Sequence, residues 1–120
     1  MKRKILIVDD EIGIRLLLED LLGSEGFQVH TAQNGKEALE MITKHKMDLM
    51  MIDYKLPMMD GIEVVKQLEK EGNHIPTIIM SGLTENFKDH TYELTSVVKV
   101  LSKPFDVLAV RDYVKEILAD

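Results

Sequence analysis

Five residues placed at the ends of apolar runs are able to do chemistry together: Asp9, Asp10, Asp53, Ser81 and Lys103. Three carboxylates at close range repel one another and raise each other's pKa. A hard divalent cation relieves that repulsion. Mg²⁺ suits such a site because it takes oxygen ligands, keeps several waters and usually binds through one or two carboxylates plus a phosphoryl oxygen. One carboxylate is then able to attack phosphorus as a nucleophile and become an aspartyl phosphate. The charge of the phosphoryl group needs partners: the cation on one oxygen, the Lys103 ammonium on another, the Ser81 hydroxyl on a third. Positioning and charge neutralisation of this kind are most of what phosphoryl transfer asks of a protein.

These residues meet only if the strands that carry them are neighbours. Ile5-Leu6-Ile7-Val8 is a continuous β-favouring run, the mark of a strand covered on both faces, and it ends in Asp9-Asp10. A helix is expected over 11–24, stopped by Gly26, and a weaker strand over 28–32. Asn34-Gly35 precedes a helix over 36–44. A third strand over 48–54 carries Asp53, and the loop Leu56-Pro57-Met58-Met59-Asp60-Gly61 follows it. Ile62, Val65 and Leu68 then repeat at helical spacing as far as Gly72. A fourth strand over 77–80 ends at Ser81-Gly82. A helix with few apolar anchors is expected over 85–94, and a fifth strand over 97–101 runs to Lys103-Pro104. Val107, Val110, Val114, Ile117 and Leu118 form the stripe of a last helix. This is βα five times, which implies an α/β fold with a five-stranded parallel sheet, doubly wound, with helices on both faces. In such sheets ligands bind beyond the carboxyl ends of the strands, where the five residues lie. The pattern reads as one domain over 1–120, with no linker, repeat or second domain.

Composition narrows the field. The 120 residues are 45% hydrophobic and 30% charged, a globular balance. With 15 basic and 21 acidic residues the net charge is −6, which disfavours nucleic acid and anionic membrane surfaces as partners. The absence of cysteine excludes disulfides, iron–sulfur clusters, thiolate metal sites and a thiol nucleophile. Four apolar residues after Met1-Lys2-Arg3-Lys4 are too few for a secretory signal. No stretch approaches the ~20 apolar residues of a membrane span. A cytoplasmic location is the expectation.

Ile5-Leu6-Ile7-Val8-Asp9-Asp10-Glu11, Asp53-Tyr54-Lys55-Leu56-Pro57-Met58-Met59-Asp60-Gly61, Ser81-Gly82 and Lys103-Pro104-Phe105 resemble, in order and spacing along the whole chain, the motifs of the receiver domain of bacterial two-component response regulators. Gly13-Ile14-Arg15 with Leu17-Leu18, and Lys103-Pro104-Phe105-Asp106 with Arg111-Asp112, are similar to the family's single-domain sporulation phosphorelay branch. The resemblance implies a flavodoxin-like fold with Asp53 as phosphoacceptor. It implies Mg²⁺ held by Asp9, Asp10 and Asp53 with the Lys55 main-chain carbonyl, and Ser81 and Lys103 on the phosphoryl group. It implies a cis peptide at Lys103–Pro104. The donor would be a histidine on a sensor kinase or phosphotransfer protein, and the protein would catalyse its own phosphorylation and dephosphorylation. Onward transfer in a phosphorelay is the first reading, and a chemotaxis-type regulator that binds a downstream target protein is the second. The family's switch aromatic on the fifth strand is Val100 here, with no ring to swing. Ser96-Val97 replaces the common Gly-Ala, and Ser81 the commoner threonine.

Competing classes fit less well. A nucleotide- or flavin-binding module needs a glycine- or hydroxyl-rich cradle after the first strand, where this chain has Asp9-Asp10-Glu11. An aspartyl phosphatase places its carboxylates as Asp-x-Asp after one strand. A non-phosphorylated interaction module is opposed by the intact acidic pair, Asp53 and Lys103. His30, His45, His74 and His90 share no ligand spacing and read as surface or satisfied residues. Met47, Met50, Met51, Met58 and Met59 read mostly as packing. On the first helix Ile14, Leu17, Leu18 and Leu21 form the core stripe, with Ile12 and Leu16 nearly opposite. Two exposed apolar residues are ordinary on a surface. The alternative is a docking face for a helical partner, formed by Ile12, Gly13, Ile14 and Leu16 with Pro104 and Phe105 beside them.

Overall fold

The computed structural model describes residues 2–82 and 94–119. Among these residues nine elements follow one another: β1 (Lys4–Val8), α1 (Ile12–Ser24), β2 (Gln28–Ala32), α2 (Gly35–Lys44), β3 (Leu49–Asp53), α3 (Gly61–Lys70), β4 (Thr77–Ser81), β5 (Val97–Ser102) and α4 (Val107–Ile117). The helix expected over 85–94 lies outside the described residues apart from Leu94, which is buried just before β5.

All strand pairings are parallel, in the order β2-β1-β3-β4-β5. The apolar runs dictate this sandwich. Side chains alternate across a strand, so Leu6 and Val8 enter one core with Met50, Ile52 and Ile79. Ile5 and Ile7 enter the other with Leu49, Met51, Ile78 and Met80. The first core is closed by Ala38 of α2 and by Ile62, Val64, Val65 and Leu68 of α3. The second is closed by Leu18 and Leu22 of α1 and by Val110 and Val114 of α4. Met47, Met50 and Met51 are buried packing residues, whereas Met58 is 91% exposed.

Short polar residues start three of the helices. Asn34, Asp60 and Asp106 accept hydrogen bonds from Glu37 N (2.8 Å), Glu63 N (2.9 Å) and Leu108 N (2.9 Å), satisfying otherwise orphaned donors. The expected face of α1 needs one correction. Leu18 and Leu22 are its fully buried residues, while Leu17 is 44% exposed. The helix is rotated so that the 18/22 pair faces the sheet, which leaves Leu17 at the rim beside Phe105. Ile12 and Leu16 are exposed as expected.

The β4–β5 ladder carries a register shift: Thr77 pairs with Val97 and Ile78 with Lys99, so Val98 is skipped and half exposed. At the opposite edge the His30 and His45 rings stack with centroids 4.9 Å apart. These two are partly buried and His74 is exposed, while His90 lies outside the described residues. No helix is long and apolar enough to cross a membrane among the described residues.

Candidate phosphoryl-transfer site

β1, β3, β4 and β5 are consecutive in the sheet, so the residues at their carboxyl ends converge. Asp9 follows β1 and is fully buried; Asp53 ends β3 and Ser81 ends β4, both buried. Asp9, Asp10 and Asp53 each bring one carboxylate oxygen within 4.8 Å of the others. Lys103, just past β5, reaches in from the opposite side. Its Nζ lies 2.8 Å from Asp9 Oδ2 and 3.3 Å from Asp53 Oδ2. The four strands thus bring together Asp9, Asp10, Asp53 and Lys103, with Ser81 buried at the adjacent strand end. Lys55 is exposed in the loop after β3.

The main chain holds this geometry. Tyr54 N donates to the Met80 carbonyl at 2.8 Å, and Lys103 N donates to the Ser81 carbonyl at 2.7 Å, which ties the strand ends to one another. Asp9 Oδ1 accepts the Glu11 N–H at 2.9 Å. The Lys103–Pro104 peptide is cis, as the resemblance implied.

Among the described residues charge is unevenly matched, with the Lys103 ammonium facing the carboxylates of Asp9, Asp10 and Asp53. Burial alone pushes Lys103 down. The hydrogen bond and charge of Asp9, and then those of Asp53, outweigh it and hold the amine above its usual value. Lys103 is therefore a fixed cation. Among the described residues the remaining donors of the cluster are the hard oxygens of Asp9, Asp10 and Asp53. That set fits Mg²⁺ and disfavours soft metals.

Three residues that shape the crevice were not visible from spacing. Arg15 Nη1 donates to the Asp9 carbonyl at 2.6 Å and braces the turn after β1. Glu11 Oε1 lies 3.6 Å from Lys103 Nζ. Gly61 packs against the end of β3, where a Cβ would meet the Asp53 carbonyl oxygen at 2.5 Å. Only Gly61 left a signal, as the glycine opening the helix after the Asp53 loop. Of the expected docking residues, Ile14, Pro104 and Phe105 line one recess of about 380 Å³, together with Leu17, Glu11 and Lys103. Ile12, Gly13 and Leu16 are exposed on the adjoining surface of α1.

Known proteins match this chain along its length. Sporulation initiation phosphotransferase F of Bacillus subtilis is 42% identical over 119 residues, covering 98% of this chain and 95% of that protein. The alkaline phosphatase synthesis transcriptional regulatory protein PhoP of Bacillus subtilis is 38% identical over 118 residues, but this chain spans only 49% of it. Among solved structures, chemotaxis protein CheY4 of Vibrio cholerae superposes with a TM-score of 0.87 at 28% identity, covering 98% of this chain and 100% of that one. Response regulator TrrA of Thermotoga maritima, in complex with Mg²⁺-BeF, gives 0.85 at 30% identity, covering 97% and 99%. The model of the response regulator receiver domain matches residues 5–115, from β1 into α4, and with it the whole acidic crevice and its lysine. This chain belongs to the response regulator receiver domain family.

Proposed function

We propose that this protein is a phosphoryl-accepting switch of the cytoplasm. Asp53 takes a phosphoryl group from a histidine of a sensor kinase or phosphotransfer protein, then passes it on or signals by a shift between two conformations. The observation that carries the reading is the placement of the Asp53 carboxylate, buried beside Asp9 and Asp10 with Lys103 Nζ 3.3 Å away. A carboxylate oxygen of Asp53 forms the new O–P bond as the P–N bond to the donor imidazole breaks. The leaving nitrogen keeps the electron pair and takes a proton from solvent. Asp9, Asp10, Asp53 and the Lys55 carbonyl would hold Mg²⁺, which supplies charge neutralisation on the phosphoryl oxygens. Lys103 pairs with another phosphoryl oxygen and the Ser81 hydroxyl donates to a third. Water attack at phosphorus breaks the Asp53 O–P bond, releases inorganic phosphate and returns the free carboxylate, so the protein catalyses both its own phosphorylation and its own dephosphorylation.

The donor docks over Ile12, Gly13, Ile14 and Leu16 of α1 and over Pro104 and Phe105. This apolar surface borders the crevice, and its recess reaches Lys103. Onward transfer to another histidine protein uses the same surface. A second reading, output by binding a target protein, is favoured by the exposed Val98 and Val100 on β5. Val100 occupies the position of the family's switch aromatic.

The test is to incubate the protein with Mg²⁺ and acetyl phosphate and weigh it by intact mass spectrometry. One phosphoryl adduct is expected on the wild type, none on Asp53→Asn, and none when the cation is chelated. An adduct of equal yield on Asp53→Asn overturns the assignment.

A further inference from the structure

Lys103 Nζ has an acceptor besides the two buried carboxylates. Glu11 Oε1 lies 3.6 Å away, on a side chain that is 65% exposed where that of Asp9 is fully buried. Local structure leaves this carboxylate free for the role. Glu11 is the N-cap of α1, yet its side chain makes no capping hydrogen bond. Its N–H is held by Asp9 Oδ1, and the turn is braced by Arg15 on the Asp9 carbonyl.

A divalent cation in the crevice needs carboxylate oxygens of Asp9 and Asp53. Lys103 already engages Asp9 Oδ2 and Asp53 Oδ2. An ammonium and a dication that share these two carboxylates stand a few ångströms apart and repel one another in a partly buried site. The ammonium must yield part of its position, while its main chain stays tied to the Ser81 carbonyl. Among the described residues it pairs with three carboxylates, of which Glu11 lies outside the acidic cluster. An exposed pair of this kind is weak, so it holds the ammonium at the mouth of the crevice without trapping it.

We infer that Glu11 is a positioning residue that receives the Lys103 ammonium as a divalent cation enters the crevice, and so eases cation binding. The inference rests on the proposal that Asp9, Asp10 and Asp53 hold Mg²⁺.

The test is Mg²⁺ titration by calorimetry of the unphosphorylated full chain at fixed ionic strength, in wild type, Glu11→Gln, Lys103→Gln and the double variant. Glu11→Gln is expected to weaken Mg²⁺ binding about threefold to tenfold when Lys103 is present, and by less than about twofold when it is absent. Glu11→Asp keeps the charge but loses a methylene of reach, and is expected to behave as Glu11→Gln does. Equal affinities of wild type and Glu11→Gln overturn the inference. So does the same loss in both lysine backgrounds, or full affinity in Glu11→Asp, because Glu11 would then act through its charge alone. Wild-type binding that is absent, or that survives both Asp9→Asn and Asp53→Asn, would instead bring down the Mg²⁺ site itself and the inference with it.

Discussion

Gly61, the first residue of α3, lies against the last residue of β3 so closely that a Cβ on it would sit 2.5 Å from the Asp53 carbonyl oxygen. Its N–H donates to the Tyr54 carbonyl at 2.8 Å. The start of α3 therefore sets where the strand end carrying Asp53 can lie. The obstructing atom is backbone and cannot swing aside. Gly61→Ala is expected to cost about 1–3 kcal/mol in urea unfolding and to slow labelling of Asp53 by acetyl phosphate. Gly23→Ala, in α1 with open space around its Cβ, is expected to gain about 0.5–1 kcal/mol and to leave labelling unchanged.

Asp10 is the exposed member of the acidic cluster. Without a cation its charge only adds to the repulsion among three acids. Asp10→Asn is expected to raise the melting temperature by a few degrees in chelator, corresponding to about 1 kcal/mol. Saturating Mg²⁺ should stabilise the wild type by mass action, about 2.7 kcal/mol at a hundred times Kd, and should stabilise Asp10→Asn far less. Thermal scans with and without Mg²⁺ read both effects.

His30 gives the fold an acid-sensitive edge. Burial first, then the His45 ring and Lys4, hold its pKa below the usual 6.5. The unfolded chain therefore takes up a proton at a pH where the folded chain does not. The stability that His30 contributes is complete above pH 6.5 and declines as the pH falls from 6.5 towards the folded-state pKa. Unfolding midpoints of the wild type are expected to drop more steeply below pH 6.5 than those of His30→Gln.

Leu16 is 56% exposed on α1, whereas Leu18 and Leu22 of the same helix are fully buried. Leu16→Ala is expected to change stability by no more than about 0.5 kcal/mol and to leave acetyl phosphate labelling intact. Transfer from a phosphohistidine partner should fall about tenfold, the scale of one good interface contact. Leu18→Ala, by contrast, empties a fully buried site and should cost about 2–5 kcal/mol. Stopped-flow transfer and urea unfolding separate the two.

The site was legible in the sequence because its residues stand where apolar runs stop, and parallel strands present that end to ligands. Ile5-Leu6-Ile7-Val8 reads as doubly covered, and its side chains do divide between two cores. The strand order that places β3 beside β1 carries no local signature and came with the resemblance. The misplaced core role of Leu17 has a geometric cause. A helical wheel gives the direction of a stripe but not which edge a neighbouring Phe105 will meet. Glu11 against Lys103 and Arg15 against Asp9 were invisible because contacts made by charged side chains follow no period. His30 against His45 joins an edge strand to the end of α2, a meeting that spacing along the chain does not encode.

The hydrogen bond from Lys103 to Asp9 spans 94 positions. A nascent chain that has laid down β1 and β3 but not yet added β5 gathers its acids without the counter-charge they need. The charge balance of the crevice therefore depends on the edge strand β5 being docked on β4.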